Sequence, residues 1–387
     1  MHSAPTCTCR FAARNTAEVS NGEIHKDLHR QLSASFRFCS RMPIPSSPTP
    51  AGPMYILGIE TSCDETAAAV FAEDDKLLSN IVASQLNTHF QYGGVVPELA
   101  SRAHQQNIVP VVNEALSNAD VRVTDLSAVA FTRGPGLMGS LLVGVSFAKG
   151  LSLGLGIPMI EVNHMQAHVV AHFIDNTVPA FPFLCLTVSG GHTQIVLARD
   201  FLDMEVIGQT MDDAVGEAFD KAAKILDLPY PGGPLIDKYA QQGDPRAFRF
   251  PETVIPGLDF SFSGIKTAFL YFLRDEKRNN PNFVEENLHN ICASLQSHLV
   301  GMLLKRLTQA TQETGIKEVA IAGGVSANSE LRKRVTELGR TQGWNVFIPE
   351  FEYCTDNAAM IAMVAYHKFN RGEFCGMDTT PLARMPI

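Results

Sequence analysis

From Met54 onward the apolar and polar positions follow a repeating layout. YILGIE (55–60) is a short apolar run, TSCDE (61–65) is turn-like, and TAAAVFAE (66–73) resumes extended character. Together they predict two strands joined by a small-residue turn. The layout returns as FLCLTV (183–188), SGGH (189–192) and TQIVLAR (193–199). Superposed without gaps, the two stretches pair Ser62 with Ser189 and Thr66 with Thr193, and apolar meets apolar on both flanking strands. Both copies then run strand, glycine turn, helix, strand. The first reads LSAVAFT, RGPGLMGS, a helix to about Gly154, and PMIEV; the second reads KEVAIA, GGVSANSE, a helix to about Gly343, and NVFIP.

This pattern predicts an α/β protein of two duplicated lobes, residues 54–180 and 181–387, facing a cleft where the turns converge. From about Asp203 to Thr314 the second copy carries extra material. There GEAFDKAAKILDL and VEENLHNICASLQSHLVGMLLKRLTQA repeat apolar residues at helical spacing, which predicts an inserted helical layer. The longest apolar stretch, Leu137 to Ile160, is interrupted by Lys149 and rich in glycine, so it reads as a buried helix and not a membrane span.

Residues 1–53 lack apolar periodicity, are rich in Ser, Thr, Pro and Arg, and end in PIPSSPTPAGP. They read as a disordered extension, either an organelle-targeting presequence or translation assigned from an upstream start codon. Glu18, Glu23 and Asp27 favour the second origin, because presequences avoid acidic residues.

Composition narrows the picture. With 45% hydrophobic and 18% charged residues the chain is ordinary for a soluble globular protein. A net charge of -9 argues against diffuse electrostatic binding to nucleic acid. It leaves room for local basic clusters such as Lys266, Arg274, Lys277 and Arg278, or Arg332, Lys333 and Arg334. The eight cysteines form no CxxC pair, which suggests reduced thiols in a cytosol-like compartment.

Several residues carry candidate chemistry. In SGGHT the absence of side chains at Gly190 and Gly191 suits backbone amides that approach an anion, or else a tight hairpin that needs glycine for positive φ. IAGGVSANSE places Ser326 and Asn328 at a helix start, as an anion site or simply a capped helix. NHMQAH puts His164 and His168 at i and i+4, on one face of a helix after PMIEV, a spacing that lets both bind one metal. Met165 stands where zinc peptidases of the HExxH type have glutamate, so the base of metal-assisted peptide hydrolysis is missing. The best third ligand is Asp356, expected at a helix start after a strand, where its bland role is an N-cap. Two histidines and one carboxylate with open positions suit non-haem iron, with zinc as the alternative. Asp64 and Glu65 follow the first turn and point into the cleft if the duplication holds.

Eight motifs, GIETSCDET, YGGVVPELASRAH, TRGPGL, NHMQAH, VSGGHT, FSFSGIKTA, GGVSANS and CTDNAAM, stand in this order. Along nearly the whole length from Met54 the chain resembles the TsaD family, the tRNA adenosine threonylcarbamoyltransferases of the actin, Hsp70 and sugar-kinase superfamily. The resemblance implies transfer of threonylcarbamoyl from threonylcarbamoyl-AMP to N6 of adenosine 37 in tRNAs reading codons that begin with A. It implies Fe2+ or Zn2+ on His164, His168 and Asp356, and a substrate loop of Thr187, Val188, Ser189, Gly190 and Gly191. Asp220, Gly233, Asp237 and Asn328 match the family's ribose and adenine contacts, and Asp64 and Glu65 its acidic pair. Implied partners are a dimerising TsaB-like paralogue and a small TsaE-like ATPase, with no membrane. The implied setting is cytoplasmic, or mitochondrial if residues 1–53 are a presequence. A kinase on the same fold has no use for the histidine pair, and a degenerate scaffold paralogue lacks it.

Overall fold

A computed structural model describes residues 53–387 apart from 74–75, 175–177 and 253–254. The extension expected over 1–53 lies outside the described residues, except for Pro53. The first sheet comprises β1 (Tyr55–Glu60), β2 (Glu65–Ala72), β3 (Lys76–Ser84), β4 (Ala128–Gly134) and β5 (Met159–Asn163), in the order β3-β2-β1-β4-β5. The second comprises β6 (Phe183–Val188), β7 (Thr193–Ala198), β8 (Met204–Gln209), β9 (Glu318–Ala322) and β10 (Asn345–Phe347), in the order β10-β9-β6-β7-β8. The orders are the same, which is how a duplication reads in three dimensions. The helices discussed below are α1 (Pro97–Asn118), α2 (Met138–Leu155), α3 (His164–Val170), α4 (Val215–Ile225), α5 (Gly232–Ala240), α6 (Ser263–Asn279), α7 (Phe283–Thr314), α8 (Ser329–Gln342) and α9 (Ala358–Asn370).

The chemistry of each strand explains its place. β1 and β6 are central and buried along nearly their whole length, so both faces must be apolar and the sequence shows unbroken runs. Each pairs antiparallel with the strand that follows its turn, Tyr55 opposite Ala72 and Phe183 opposite Ala198. Each also pairs in parallel with a later strand, Ile56 beside Ala128 and Leu184 beside Val319. Parallel neighbours need a crossover, and helices supply it in both copies.

Three expectations change. The material over 203–314 is not wholly an inserted helical layer. Met204–Gln209 is the edge strand β8, paired with β7, and α7 occupies the place in the second copy that α1 holds in the first. The true insertion is therefore 210–282. Second, the lobe boundary of 181–387 fails at its end, because the chain crosses back. In α9 Ala358 through Ala365 are all buried, in one core with Ile56, Ala67, Ala69, Ile160 and Val162 of the first sheet. Third, α2 is only half buried. Leu141, Val145 and Ala148 face inward, whereas Leu142 is 47% and Leu153 65% exposed. It is the one described helix long and apolar enough to cross a membrane. Its inner face packs against β4 and α1.

The return of α9 depends on Gly58. A Cβ there would lie 2.8 Å from the Ala358 carbonyl oxygen and 2.9 Å from Ala362 N. Backbone atoms cannot rotate out of the way, so the strand and helix approach only because position 58 has no side chain. The Gly58→Val variant is expected to lose about 1–3 kcal/mol through overpacking. The urea midpoint should fall with an unchanged slope, because the surface exposed on unfolding stays the same.

Candidate functional site

The site begins where β5 stops. Asn163 ends the strand and caps α3, its Oδ1 accepting from Met165 N at 2.9 Å and Gln166 N at 3.1 Å. The helix therefore starts at His164 with no intervening loop, and both histidines project from one face. Their rings meet edge to face with centroids 4.7 Å apart. Asp356 enters from the far end of the chain. Its Oδ1 is 3.3 Å from His164 Nε2 and 3.2 Å from His168 Nε2, and the three donor atoms lie within 4.8 Å of one another. Asp356 is not the cap of α9. Asn357 is, accepting from Met360 N at 3.1 Å, and a single helical turn at Phe351–Cys354 separates β10 from this segment.

Behind His164 stands a residue to which sequence reasoning gave no role. Glu60 is fully buried, its Oε2 lying 3.0 Å from His164 Nδ1 and accepting from Thr132 Oγ1 at 2.6 Å, while its Oε1 accepts from Ser62 N. The signal was available. A lone acid that closes an apolar central strand must find partners once buried. Burial works against a proton on His164, yet the charges of Asp356 and Glu60 outweigh it and hold the imidazole well above its ordinary pKa. Burial likewise pushes Asp356 and Glu60 up, and the charge of His164 overrides it and holds both low. One buried and one half-buried carboxylate thus demand a positive charge between them. A divalent ion meets the same demand. Donation from Nδ1 to Glu60 leaves Nε2 as the ligand atom, so two Nε2 atoms and one carboxylate oxygen fit non-haem iron or zinc.

The first-lobe turn lies alongside. His104 supports it from beneath, with Nε2 donating to Cys63 O at 3.0 Å and Nδ1 2.8 Å from Thr66 Oγ1. Burial, then the charges of Asp356 and Asp64, pushes the carboxyl of Glu65 up to about 9. In the metal-free protein it therefore holds its proton at neutral pH. Tyr230 is raised by burial and then by Asp64 and Asp220, so one phenol faces acids from both lobes.

The second-lobe turn closes through Ser189 N to His192 O at 2.8 Å and His192 N to Ser189 Oγ at 3.1 Å. Thr187 and Val188, both buried, end the strand that carries it. Neither Gly190 nor Gly191 has positive φ, and a Cβ on either would meet nothing within 4 Å. The turn does not need them for conformation. Their missing side chains leave the turn open on the side a Cβ would occupy, so a ligand can approach the backbone there, while Gly216 packs against Gly190 from the other side. Burial, then His164 and His168, pushes His192 down to about 4, so this second unforeseen residue is neutral and sits by the pair.

The remaining expected residues form two further clusters, one at Asp220 and one joining Asp237 to Asn328. Asp220 Oδ1 accepts from Gly232 N at 2.9 Å and Gly233 N at 3.3 Å. Asp237 accepts from Ser329 Oγ at 2.6 Å, Ser329 N at 3.1 Å and Gln296 Nε2 at 3.1 Å. Asn328 caps α8 through Leu331 N at 3.0 Å and donates to Gln296 Oε1 at 2.9 Å. The capped-helix alternative for GGVSANSE is thus realised. The two groups approach through the packing of Gly323 on β6, where a Cβ would be 2.5 Å from Val188 O.

The sequence of residues 76–363 matches the TsaD family of tRNA N6-adenosine threonylcarbamoyltransferases. A protein of that name from Christiangramia forsetii is 63% identical over 332 residues, 85% of this chain and 97% of the relative. One from Porphyromonas gingivalis is 57% identical over 339 residues, 86% of this chain and 99% of the relative. Among solved structures, T. kodakarensis HypF superposes with a TM-score of 0.56 at 14% identity, over 84% of this chain and 50% of that one. At that identity the likeness concerns the two-lobed fold alone.

Glu65 yields a test of the site's electrostatics. Its folded pKa of about 9 lies above the ordinary 4.5, so the folded state keeps a proton that the unfolded chain releases. Stability is then lost as pH rises through that window. In metal-free protein Glu65→Gln should unfold at higher urea than wild type near about pH 8, with the gap closing near about pH 5. Equal midpoints at both pH values count against the raised pKa.

Proposed function

The chain belongs to the tRNA N6-adenosine threonylcarbamoyltransferase family, and from that membership we propose the reaction in full. Threonylcarbamoyl-AMP donates its threonylcarbamoyl group to N6 of adenosine 37 in tRNAs that read codons beginning with A, and AMP leaves. What supports this reading is the meeting of His164, His168 and Asp356 beside an acidic turn from one lobe and an open glycine turn from the other.

The N6 amine attacks the carbamoyl carbon, the bond from that carbon to the phosphate oxygen breaks, and the amine gives up a proton. An exocyclic adenine amine is a poor nucleophile, so orientation and proton removal carry much of the catalysis. Asp64 accepts the amine proton. Glu65, its carboxyl pushed up by partial burial and by the neighbouring acids, donates a hydrogen bond to the carbonyl oxygen as negative charge develops there. The glycine turn at Gly190 and Gly191, open where side chains would stand, receives the AMP phosphate, next to Thr187, Val188 and Ser189. Asp220, Gly233 and Asp237 take the ribose and adenine, on a surface kept rigid by the Asn328 cap. His164, His168 and Asp356 would hold a divalent ion, iron(II) by preference and zinc as the alternative, which would supply Lewis-acid stabilisation of the developing charge.

The reading extends to a dimerising paralogue and a small ATPase as partners, and to a cytoplasmic setting. Free thiols at Cys63, Cys185, Cys292, Cys354 and Cys375 support a reducing compartment.

Mass spectrometry of nucleosides from tRNA incubated with the protein and threonylcarbamoyl-AMP should find the N6-threonylcarbamoyl mark in tRNAs reading codons that begin with A. An unmodified product removes the proposal. Glu60→Gln should weaken metal affinity about 10- to 100-fold, with activity restored by excess metal. Glu65→Ala should slow turnover by about 10²-fold or more while metal content stays at the wild-type level. Loss of metal from that variant would make Glu65 a structural residue.

A further inference from the structure

The chain is acidic, yet its substrate is a polyanion. Two basic clusters in the sequence could meet phosphate, and the structure separates them. In the α8 cluster Arg332 donates to Ser326 O at 2.9 Å, Pro349 O at 2.6 Å and Cys354 Sγ at 3.2 Å, with its guanidinium 3.9 Å over Phe351. Arg334 donates to Ser297 O at 3.0 Å. Both arginines are spent on fixing their own lobe.

The cluster on α6 is different. Ile265, Phe269 and Leu273 face the core, which turns Lys266, Leu270, Arg274 and Lys277 outward on one stripe. Among the described residues Lys266 and Lys277 have no ion-pair partner, whereas Arg274 and Arg278 share Asp275 at 3.0 and 3.4 Å. Four cations against Asp275 and Glu276 leave this helix positive in a chain of net charge -9. Two apolar side chains stand among the charges, Leu270 at 45% and Tyr271 at 51% exposure, with the Arg274 guanidinium 4.6 Å over the tyrosine ring. A groove of about 360 Å³ runs along the helix between Ile225 and Arg278. Basic side chains interleaved with an exposed aromatic are what a nucleic-acid backbone and its bases recognise.

The helix is also tied to the cleft. Asp212 caps its start, accepting from Phe262 N at 2.7 Å, Ser263 N at 3.1 Å, Ser261 Oγ at 2.6 Å and Ser263 Oγ at 2.7 Å. The segment that carries Asp212 is pinned to Thr193, next to the glycine turn, by Thr210 N to Thr193 O and Val215 N to Thr193 Oγ1, both at 2.9 Å. Whatever α6 grips is held at a set distance from the glycine turn.

We propose that the outward face of Ser263–Asn279, through Lys266, Leu270, Tyr271, Arg274 and Lys277, is the docking surface for the RNA substrate. The cations grip phosphates that flank the adenosine in the cleft, and Tyr271 stacks on a base or ribose. This rests on the reading of tRNA as substrate and adds where it is held.

The test compares the wild type with K266Q/R274Q/K277Q and with Y271A. Labelled-tRNA binding is followed from about 50 to about 200 mM salt, alongside the KM for tRNA. Metal content and AMP binding serve as folding checks, since none of these side chains belongs to the nucleotide site. The triple variant should bind roughly tenfold or more weakly at low salt, with a salt slope shallower by about 2, because fewer counterions are released. Y271A should weaken binding by about fivefold with the slope unchanged. Unchanged affinity, slope and KM in both variants overturn the proposal, including the case in which they weaken binding of a protein partner instead. A wild-type protein that modifies no tRNA overturns the functional reading; one that modifies tRNA while the triple variant keeps its KM overturns the docking surface alone.

Discussion

A positive charge has to sit where Glu60, His164 and Asp356 meet. Glu60 is sealed beneath the imidazole and Asp356, half-buried, lies against its other nitrogen, so His164 bridges two carboxylates largely withdrawn from water. Buried anions without compensation cost several kcal/mol each. Much of the surrounding structure serves this arrangement. β1 delivers Glu60, the Asn163 cap starts α3 at the edge of the sheet, and α9 returns from the second copy to bring Asp356 alongside. The C-terminal tail secures the same corner, with Asn163 Nδ2 donating to Pro386 O at 2.8 Å and Leu382 N to Arg133 O at 2.8 Å.

Duplication explains why the parts converge. Each lobe ends its central strand in a turn, one acidic at Asp64 and Glu65, one of glycine at Gly190 and Gly191, and both turns lie beside the cluster of His164, His168 and Asp356. The copies then diverged by use. The first carries the helix of His164 and His168 after its last parallel strand. The second acquired residues 210–282, which hold Asp220, Asp237 and the basic helix α6.

Local chemistry made the strands, the glycine turns and the i, i+4 histidines readable, because each signals itself within a few residues. What depends on distant packing was not. β8 is a half-exposed edge strand with little apolar periodicity, and its signal was lost among the helices that follow. The return of α9 rests on Gly58, a residue whose meaning lies in a helix three hundred positions away in the chain. Asp356 does stand beside the histidine pair, but its neighbour Asn357 is the cap, and the two are chemically near-equivalent for that role. The two basic clusters look alike in sequence; only the carbonyl partners of Arg332 and Arg334 tell them apart.

Concentrating positive charge on one helix suits an enzyme that must recognise a single adenosine in a large polyanion. A diffusely basic protein binds RNA in many orientations, nearly all unproductive, since phosphate contacts carry no sequence information. An acidic surface penalises those orientations, and one cationic stripe rewards a single approach. The stripe is bound through Asp212 and Thr193 to the glycine turn, so the approach it favours is defined relative to the reacting carbon. Loose electrostatics thereby become a positioning device, and the acids beside the metal-ligand candidates need act only on the amine and carbonyl that are brought together there.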